Sequence, residues 1–366
     1  MKVLLITTHL NIGGISSYLL SLSKGLKAKG HEVYLASSGG EMVEQFKKEG
    51  ISYIPIPIKT KAEISPKILL SLFQLTKIVR EEEIDVIHAN TRVTQVLACL
   101  LSKSMHKPFV STCHGFFKKR LFRRLFPCWG KKVIAISESV RDHLIQDFHR
   151  EEKNIKVIHN GIDIEKFKPQ SHKATKSQMK EKLGLKDAPV VGIVARLSDV
   201  KGHIYLIEAM KAVLEKVPTA QLLIVGSGKM QNELLNLTAS FKIEKSVKFI
   251  PSVSDTKEVL SAMDIFVMPS LNEGLGLGLM EAMASGLAVV GSYVGGIKTL
   301  IQDGHTGILV RPKQVKELSD AIILLLLDEE KRRCLGNNAQ IFIGSNFSIE
   351  KMAEETAWVY EVVRDV

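Results

Sequence analysis

The densest group of residues able to do chemistry lies between Met268 and Gly286, where a glycine-rich loop precedes a helical pattern. Gly274, Gly276 and Gly278 free the backbone at the point where that helix begins. The first amides of a helix have no intrahelical acceptor and the helix dipole favours negative charge there, so the loop predicts a phosphate-binding turn. A tight turn without a ligand fits the same glycines.

Two carboxylates flank this loop, Glu273 and Glu281. If the intervening residues were fully helical, they would lie about 12 Å apart, whereas the paired carboxylates that cleave glycosides lie roughly 5 to 9.5 Å apart. The spacing therefore favours two groups that hold hydroxyls at the ends of an elongated ligand, such as a sugar nucleotide, over a hydrolase pair. An ordinary solvated helix position is the alternative for Glu281.

A second loop suited to phosphate follows the apolar run that begins at Val190. Arg196 ends this run, and Lys201 follows just before Gly202. Arginine offers a planar fork of donors and lysine a point charge, and both bind phosphate oxygens. A surface ion pair is the alternative for Arg196 alone, but the neighbouring lysine favours an anionic ligand.

A third loop, from Asn11 to Ser16, lies between the first strand pattern and the first helix pattern and contains Gly13 and Gly14. Its spacing does not match G-x-G-x-x-G, so the dinucleotide fingerprint is not met. Two adjacent glycines still allow the backbone to approach a ligand closely.

The elements that must position these loops alternate between short apolar runs and amphipathic stretches, which predicts an α/β protein with two doubly wound parallel sheets. We predict seven strands before residue 160 and six between residues 190 and 310. Ligands of such sheets bind beyond the carboxyl ends of the strands, so a cleft between the two sheets is the expected site.

Domain limits follow from the same pattern. Residues 1–168 are predicted to form the N-terminal, acceptor-binding domain, and residues 169–347 the C-terminal, donor-binding domain. Polar residues between two prolines, from Lys168 to Ala188, predict a linker. Residues 348–366 predict a helix that packs back across the linker onto the N-terminal domain, with Met352, Ala353, Thr356 and Val359 on its apolar face.

The net charge of +11 is concentrated in the first half. Residues 1–170 contain 27 Lys and Arg against 16 Asp and Glu, while residues 171–366 contain 23 of each. This asymmetry suits an anionic partner or, alternatively, reflects scattered solvated lysines. The four cysteines have no metal-ligand spacing, and no apolar run approaches the roughly 20 residues that span a bilayer, so a cytoplasmic protein is expected.

Together these motifs resemble the glycosyltransferase group 1 family, whose members are retaining enzymes of the two-lobed GT-B fold. The resemblance covers nearly the whole chain. It rests on the Gly13-Gly14 loop, Cys113-His114-Gly115, Asn160-Gly161-Ile162-Asp163, Arg196 with Lys201, the Glu-x7-Glu segment and Gly295-Gly296.

The resemblance implies a role for each matched residue. Arg196 and Lys201 would bind the donor diphosphate, Glu273 the transferred sugar and Glu281 the ribose. His114 would lie near the anomeric carbon. Backbone groups would contact the donor phosphates or sugar at Gly13, Gly14, Gly276 and Leu277.

Three positions depart from the family pattern. Thr299 stands where a glutamate is common, Pro251 where a glycine is common, and Ala288 where a proline is frequent. Pro251 removes a backbone donor beside the expected base-binding loop. These departures leave the choice of nucleotide open.

The reaction expected from these residues needs no metal cofactor, because the chain lacks Asp-x-Asp and any His/carboxylate cluster. Arg196, Lys201 and the helix terminus near Gly276 would stabilise the leaving diphosphate instead. Retention is implied by the resemblance. The residues offer no convincing covalent nucleophile, so we favour front-face attack by the acceptor.

The acceptor is expected at the N-terminal domain, with Asn90 on that side. Between Phe116 and Phe126 basic and aromatic residues alternate at roughly helical spacing, which predicts a helix suited to an anionic membrane interface. The basic residues assigned to this acceptor or membrane side are Lys118, Lys119, Arg123 and Arg124. A helix with its apolar side in the protein core is the alternative.

The predicted function is transfer of a sugar from a nucleotide-diphosphate donor to a lipid-linked or cell-envelope glycan, at the inner face of the cell membrane. Two other functions fit the same fold: a sugar-nucleotide epimerase, which needs no acceptor, and a non-catalytic sugar-nucleotide-binding protein. No nucleic-acid partner is expected, because the sequence contains no recognisable nucleic-acid-binding module.

Overall fold

A computed structural model describes residues 1–119, 123, 125–168 and 175–365. Within these ranges the chain forms two compact units. The first contains Met1–Gly161 and the C-terminal helix, and the second contains Ile162–Ser348. The chain therefore changes unit at Gly161, a few residues before the predicted limit at Lys168.

The first unit is built on a parallel sheet of seven described strands, as predicted. Their order is β3-β2-β1-β4-β5-β6-β7, and every described pairing is parallel. The strands are β1 (Lys2–Ile6), β2 (Glu32–Ser37), β3 (Ser52–Pro55), β4 (Val86–Ala89), β5 (Phe109–Cys113), β6 (Lys132–Ala135) and β7 (Ile155–Val157).

Helices cover both faces of this sheet. They are α1 (Gly14–Ala28), α2 (Val43–Lys48), α3 (Pro66–Glu81), α4 (Arg92–Met105) and α5 (Glu138–Phe148), with the C-terminal helix considered below. Strand β1 is buried on both faces. Val3 and Leu5 belong to one core cluster, and Leu4 and Ile6 belong to another. A strand buried on both faces needs apolar side chains at every position.

The second unit has a parallel sheet of six described strands in the order β10-β9-β8-β11-β12-β13. The strands are β8 (Val190–Val194), β9 (Gln221–Val225), β10 (Val247–Ile250), β11 (Ile265–Met268), β12 (Ala288–Ser292) and β13 (Ile308–Val310). The helices are α6 (Ile164–Phe167), α7 (Lys176–Lys182), α8 (His203–Lys216), α9 (Gln231–Ser240), α10 (Lys257–Ser261), α11 (Leu277–Ala284), α12 (Ile297–Leu300), α13 (Val315–Leu327) and α14 (Glu329–Asn346).

The predicted linker from Lys168 to Ala188 is wrong in its second half, because α7 occupies it. The Thr175 hydroxyl caps this helix by accepting from the Gln178 backbone amide, and Gln178 Oε1 accepts from the Thr175 backbone amide. Met179 is buried. Only residues 169–174 of the predicted linker lie outside the described ranges.

The C-terminal helix, α15 (Ile349–Arg364), packs on α1 in the first unit. All four residues of the predicted apolar face are buried. Gly25 of α1 allows the close approach, because a Cβ there would lie 2.6 Å from the Cβ of Ala353. Among the described residues, no helix is long and apolar enough to cross a membrane.

Candidate functional site

In the second unit, the loops after β8 and β11 meet through a salt bridge. Lys201 Nζ lies 2.5 Å from Glu273 Oε2, and Ser270 Oγ donates to the same oxygen at 3.2 Å. The side chain of Glu273 is only 10% exposed and that of Lys201 only 21%. The Lys201 ammonium and the Glu273 carboxylate therefore form a largely buried ion pair beside the glycine-rich loop.

Glycines bring the backbone into contact around this pair. Gly202 has a φ of 71°, and a Cβ there would lie 1.9 Å from the carbonyl oxygen of Pro269. Gly295 has a φ of 44°, and its Cβ would lie 2.0 Å from the carbonyl oxygen of Glu273, which also accepts from the Gly296 amide at 2.9 Å. Gly295 is thus required by packing against Glu273, and Gly296 by packing against Gly274, whose carbonyl oxygen would lie 2.3 Å from a Cβ at that position.

Helix α11 begins at Leu277, after Gly276 in the left-handed region with a φ of 102°. Glu273 lies in the loop before it, so the segment from Glu273 to Glu281 is helical only in its second part. The separation of about 12 Å expected for a full helix therefore does not apply. The first amides of α11 follow the loop that contains Glu273, at a place where an anion is favoured.

Glu281, on α11, lies in a separate environment from Glu273. Its Oε2 accepts from Thr256 Oγ1 at 2.8 Å. Burial raises the pKa of Glu281 from 4.5 to about 7, and the bond from Thr256 opposes this only in part. Sequence reasoning identified Glu281 but neither Thr256 nor Ser270, because a hydroxyl in a loop carries no signal of its own.

Replacing Glu281 with glutamine is expected to raise the melting temperature of the ligand-free protein by about 2 to 4 °C at pH 8 and to change it little near pH 4.5. An acid whose pKa is raised by folding lowers stability as the pH rises from its unfolded value towards its folded value, here from 4.5 to about 7. Glutamine removes this loss because it does not ionise.

The control for this experiment is Glu317→Gln, since an ion pair with Arg311 lowers the pKa of Glu317. Its removal is expected to bring no gain at pH 8. Thermal melts of both variants across this pH range test the assignment. A Glu281→Gln protein less stable than the wild type at pH 8 would contradict it.

Arg196 follows β8 and is exposed, so its guanidinium is open to an anionic ligand. The described residues contain no group of three or more His, Cys, Asp or Glu side chains able to hold a metal ion. Arg196, Lys201 and the first turn of α11 place positive charge in the predicted donor loops of the second unit.

In the first unit, the loops after β4 and β5 bring Asn90 and His114 together. Asn90 Oδ1 lies 3.2 Å from His114 Nε2, and Asn90 Nδ2 donates to the carbonyl oxygen of His88 at 3.2 Å. The ring of Tyr18 from α1 contacts the imidazole edge-on, with centroids 4.7 Å apart. Burial lowers the pKa of His114 to about 3, so the ring is neutral at physiological pH.

A buried chain of hydrogen bonds links the residues next to Asn90 and His114 to the C-terminal helix. His88 contacts Tyr360 of α15 through Nδ1 at 2.6 Å and Thr112 through Nε2 at 2.7 Å. Thr112 Oγ1 lies 3.3 Å from the hydroxyl of Tyr18. The C-terminal helix is therefore connected to the residues around His114. No motif in the sequence predicts this connection.

Three glycines at the carboxyl ends of the first sheet border open space. A Cβ added at Gly13, Gly14 or Gly115 would have no atom within 4 Å. In contrast, one at Gly40 would meet the Leu10 backbone at 2.3 Å. Packing within the protein therefore does not require glycine at positions 13, 14 and 115. The open space beside their backbone would let a ligand approach closely.

The segment from Phe116 to Phe126, predicted as a helix with basic residues on its surface, differs in part from this prediction. Residues 116–119 are not helical, and Lys119 pairs with Asp147 at 2.8 Å. Arg123 is buried, with its guanidinium carbon 4.2 Å from the centre of the Phe117 ring, so it does not present charge at the surface. Lys118 and Lys119 are exposed, and Arg124 lies outside the described residues.

Comparison with known families gives two matches. Residues 175–342 match the family described as glycosyl transferases group 1, and residues 12–166 match glycosyltransferase family 4. Together the two matches take in most of the chain, and each falls largely within one structural unit.

Two relatives are named as glycosyltransferases, and one solved structure shares the fold. An uncharacterized glycosyltransferase of Methanocaldococcus jannaschii is 28% identical, with 100% of this chain and 99% of that protein aligned. The Escherichia coli UDP-Gal:alpha-D-GlcNAc-diphosphoundecaprenol alpha-1,3-galactosyltransferase is 28% identical over 80% of this chain and 79% of that protein. The Anabaena protein HepE, solved with UDP and glucose, superposes with a TM-score of 0.87 at 24% identity, covering 99% of this chain and 100% of that one.

Proposed function

Because the chain belongs to the group 1 glycosyl transferases, we propose that its second unit binds a nucleotide-diphosphate sugar whose sugar is transferred, with retention, to a lipid-linked or cell-envelope glycan. The family and the transferase relatives favour transfer over the epimerase and the non-catalytic binding protein. The E. coli relative, named for a diphosphoundecaprenol acceptor, supports a lipid-linked substrate.

The observation that carries the proposal is the contact between Lys201 and Glu273, supported by Ser270. Lys201 offers a cation to the donor phosphates, and Glu273 offers a carboxylate to sugar hydroxyls. Their salt bridge fixes both groups at the carboxyl ends of adjacent strands, β8 and β11, before a ligand arrives. Such preorganisation is effective because little rearrangement is needed on binding.

In the proposed reaction, the acceptor oxygen attacks the anomeric carbon as the bond from that carbon to the diphosphate oxygen breaks. The bonding electron pair goes to the diphosphate, and the acceptor proton passes to a donor phosphate oxygen. Arg196, Lys201 and the first amides of α11 stabilise the leaving charge, so we propose that no metal cofactor is needed. In the first unit, His114 is neutral and lies within hydrogen-bond distance of Asn90, so it offers a polar group suited to a sugar hydroxyl.

The donor class is tested by thermal melts with UDP, GDP and ADP, each with and without EDTA. One nucleotide is expected to raise the melting temperature, since a ligand that binds only the folded protein stabilises it by about 2.7 kcal/mol at a hundred times its Kd. EDTA is expected to leave the shift unchanged, and Arg196→Ala is expected to reduce it.

The matched control is Arg333→Ala, an exposed arginine on α14 outside the donor loops, which is expected to keep the full shift. If no nucleotide stabilises the wild-type protein, the donor site is wrong. If EDTA abolishes the shift, metal independence is wrong.

A further inference from the structure

Helix α3 carries large apolar side chains on the face that points away from the core. Its inner residues, Ile68, Leu75 and Val79, belong to a buried core cluster. On the outer side, Leu69, Leu70 and Phe73, together with Ile64 just before the helix, are between 55% and 77% exposed. We call these four residues the α3 surface.

The local sequence fixes the orientation of this surface. The Ser65 hydroxyl caps the helix by accepting from the Lys67 amide, and Pro66 occupies the first turn. Rotating the outer residues inward would remove Ile68 and Leu75 from the core. A single exposed leucine is ordinary, but several large apolar side chains grouped on one helix mark an interaction surface.

The apolar region continues beyond α3. Buried Arg92 donates through Nε to Glu63 Oε2 at 2.9 Å, and through its two terminal nitrogens to the carbonyl oxygens of Phe126 at 2.7 Å and Pro127 at 2.6 Å. The loop that carries Ile64 therefore lies beside Phe126, whose side chain is also exposed. Arg92 holds the two segments together.

The exposed charged residues that lie nearest to the α3 surface along the chain are basic. In residues 59–75, all of which the structure describes, Lys59, Lys61 and Lys67 are exposed. The single acidic residue in this range, Glu63, is only 12% exposed and is paired with Arg92. The exposed charges of this segment, which border the apolar residues, are therefore basic.

We propose that the α3 surface docks on an anionic lipid bilayer, with Leu69, Leu70 and Phe73 entering the headgroup region and the lysines lying beside lipid phosphates. Apolar residues bordered by basic ones match this interface in both hydrophobicity and charge. A second copy of the chain fits less well, because a two-fold contact through this surface would bring two basic segments together. The proposal moves the membrane-facing surface from the segment 116–126 to α3.

The test is co-sedimentation of the full chain with vesicles of phosphatidylcholine that contain about one third phosphatidylglycerol. The triple variant Leu69→Gln, Leu70→Gln, Phe73→Gln keeps good helix formers at exposed positions, so the fold is expected to be retained. Its affinity for these vesicles is expected to fall at least about tenfold. Pure phosphatidylcholine vesicles are expected to bind the wild-type protein more weakly.

The matched control is the double variant Leu327→Gln, Ile341→Gln, which replaces residues that are 69% and 68% exposed in the second unit. It is expected to bind vesicles like the wild type. Unchanged melting temperatures would show that both variants are folded. No donor or acceptor is present, so the result is independent of the proposed glycosyl transfer.

Two results would overturn the proposal. The first is wild-type protein that does not sediment with anionic vesicles, or a triple variant that sediments equally well. The second is a wild-type protein that is dimeric in solution and becomes monomeric in the triple variant, which would assign the α3 surface to a second copy of the chain.

Discussion

Replacing Lys201 with alanine is expected to lower the turnover number by about a hundredfold to a thousandfold, the usual effect of removing one group that stabilises charge in the transition state. Lys201 contacts Glu273 directly, so its loss also leaves a nearly buried carboxylate without its cation. That carboxylate would then repel the donor phosphates. The first effect slows the chemical step and the second weakens donor binding, and together they make this the largest activity loss that we expect.

The measurement is transfer from the donor that the thermal melts identify, with binding of the corresponding nucleotide followed separately. Lys316→Ala is the control, because Lys316 also forms an ion pair, with Asp320 at 2.7 Å, but on the exposed face of α13. This control is expected to keep wild-type turnover, since exposed pairs contribute little. A Lys201→Ala enzyme within threefold of the wild type would exclude Lys201 from the reaction.

Replacing Gly202 with alanine is expected to lower the free energy of unfolding by about 3 kcal/mol or more and to weaken donor binding. Two costs combine: an alanine at a φ of 71° is strained by about 1 to 2 kcal/mol, and its Cβ would overlap the Pro269 carbonyl oxygen at 1.9 Å. Relief of this overlap would push the loop of Lys201 away from the loop of Glu273.

Gly304→Ala separates these two costs. Gly304 also has a φ of 71°, but a Cβ there would meet no atom within 4 Å. It is expected to show the conformational strain alone and to leave donor binding intact. Denaturant unfolding of both variants, with nucleotide titration, gives the comparison. Equal losses of stability would show that the contact with Pro269 is unimportant.

The sequence predicted the fold well, because parallel strands buried on both faces produce continuous apolar runs such as Val3 to Ile6. It also identified the loops that carry Glu273, Lys201 and His114, since those loops follow strands in the chain. It failed between Lys176 and Lys182, where a polar sequence forms a capped helix, because exposed helices need few apolar residues. It also misjudged Arg123, which the sequence cannot distinguish from an exposed arginine.

By itself, then, the sequence determined the two α/β sheets, the strand-to-helix loops and the glycine positions, because these depend on local spacing and on the conformational freedom of single residues. Only the tertiary structure decided which side chains meet. Lys201 and Glu273 are 72 positions apart, and His88 and Tyr360 are 272 apart. Such contacts depend on strand order and on the packing of distant helices. The exposure of Leu69 and Phe73 was decided in the same way, since burial of Ile68 and Leu75 fixed which face of α3 points outward.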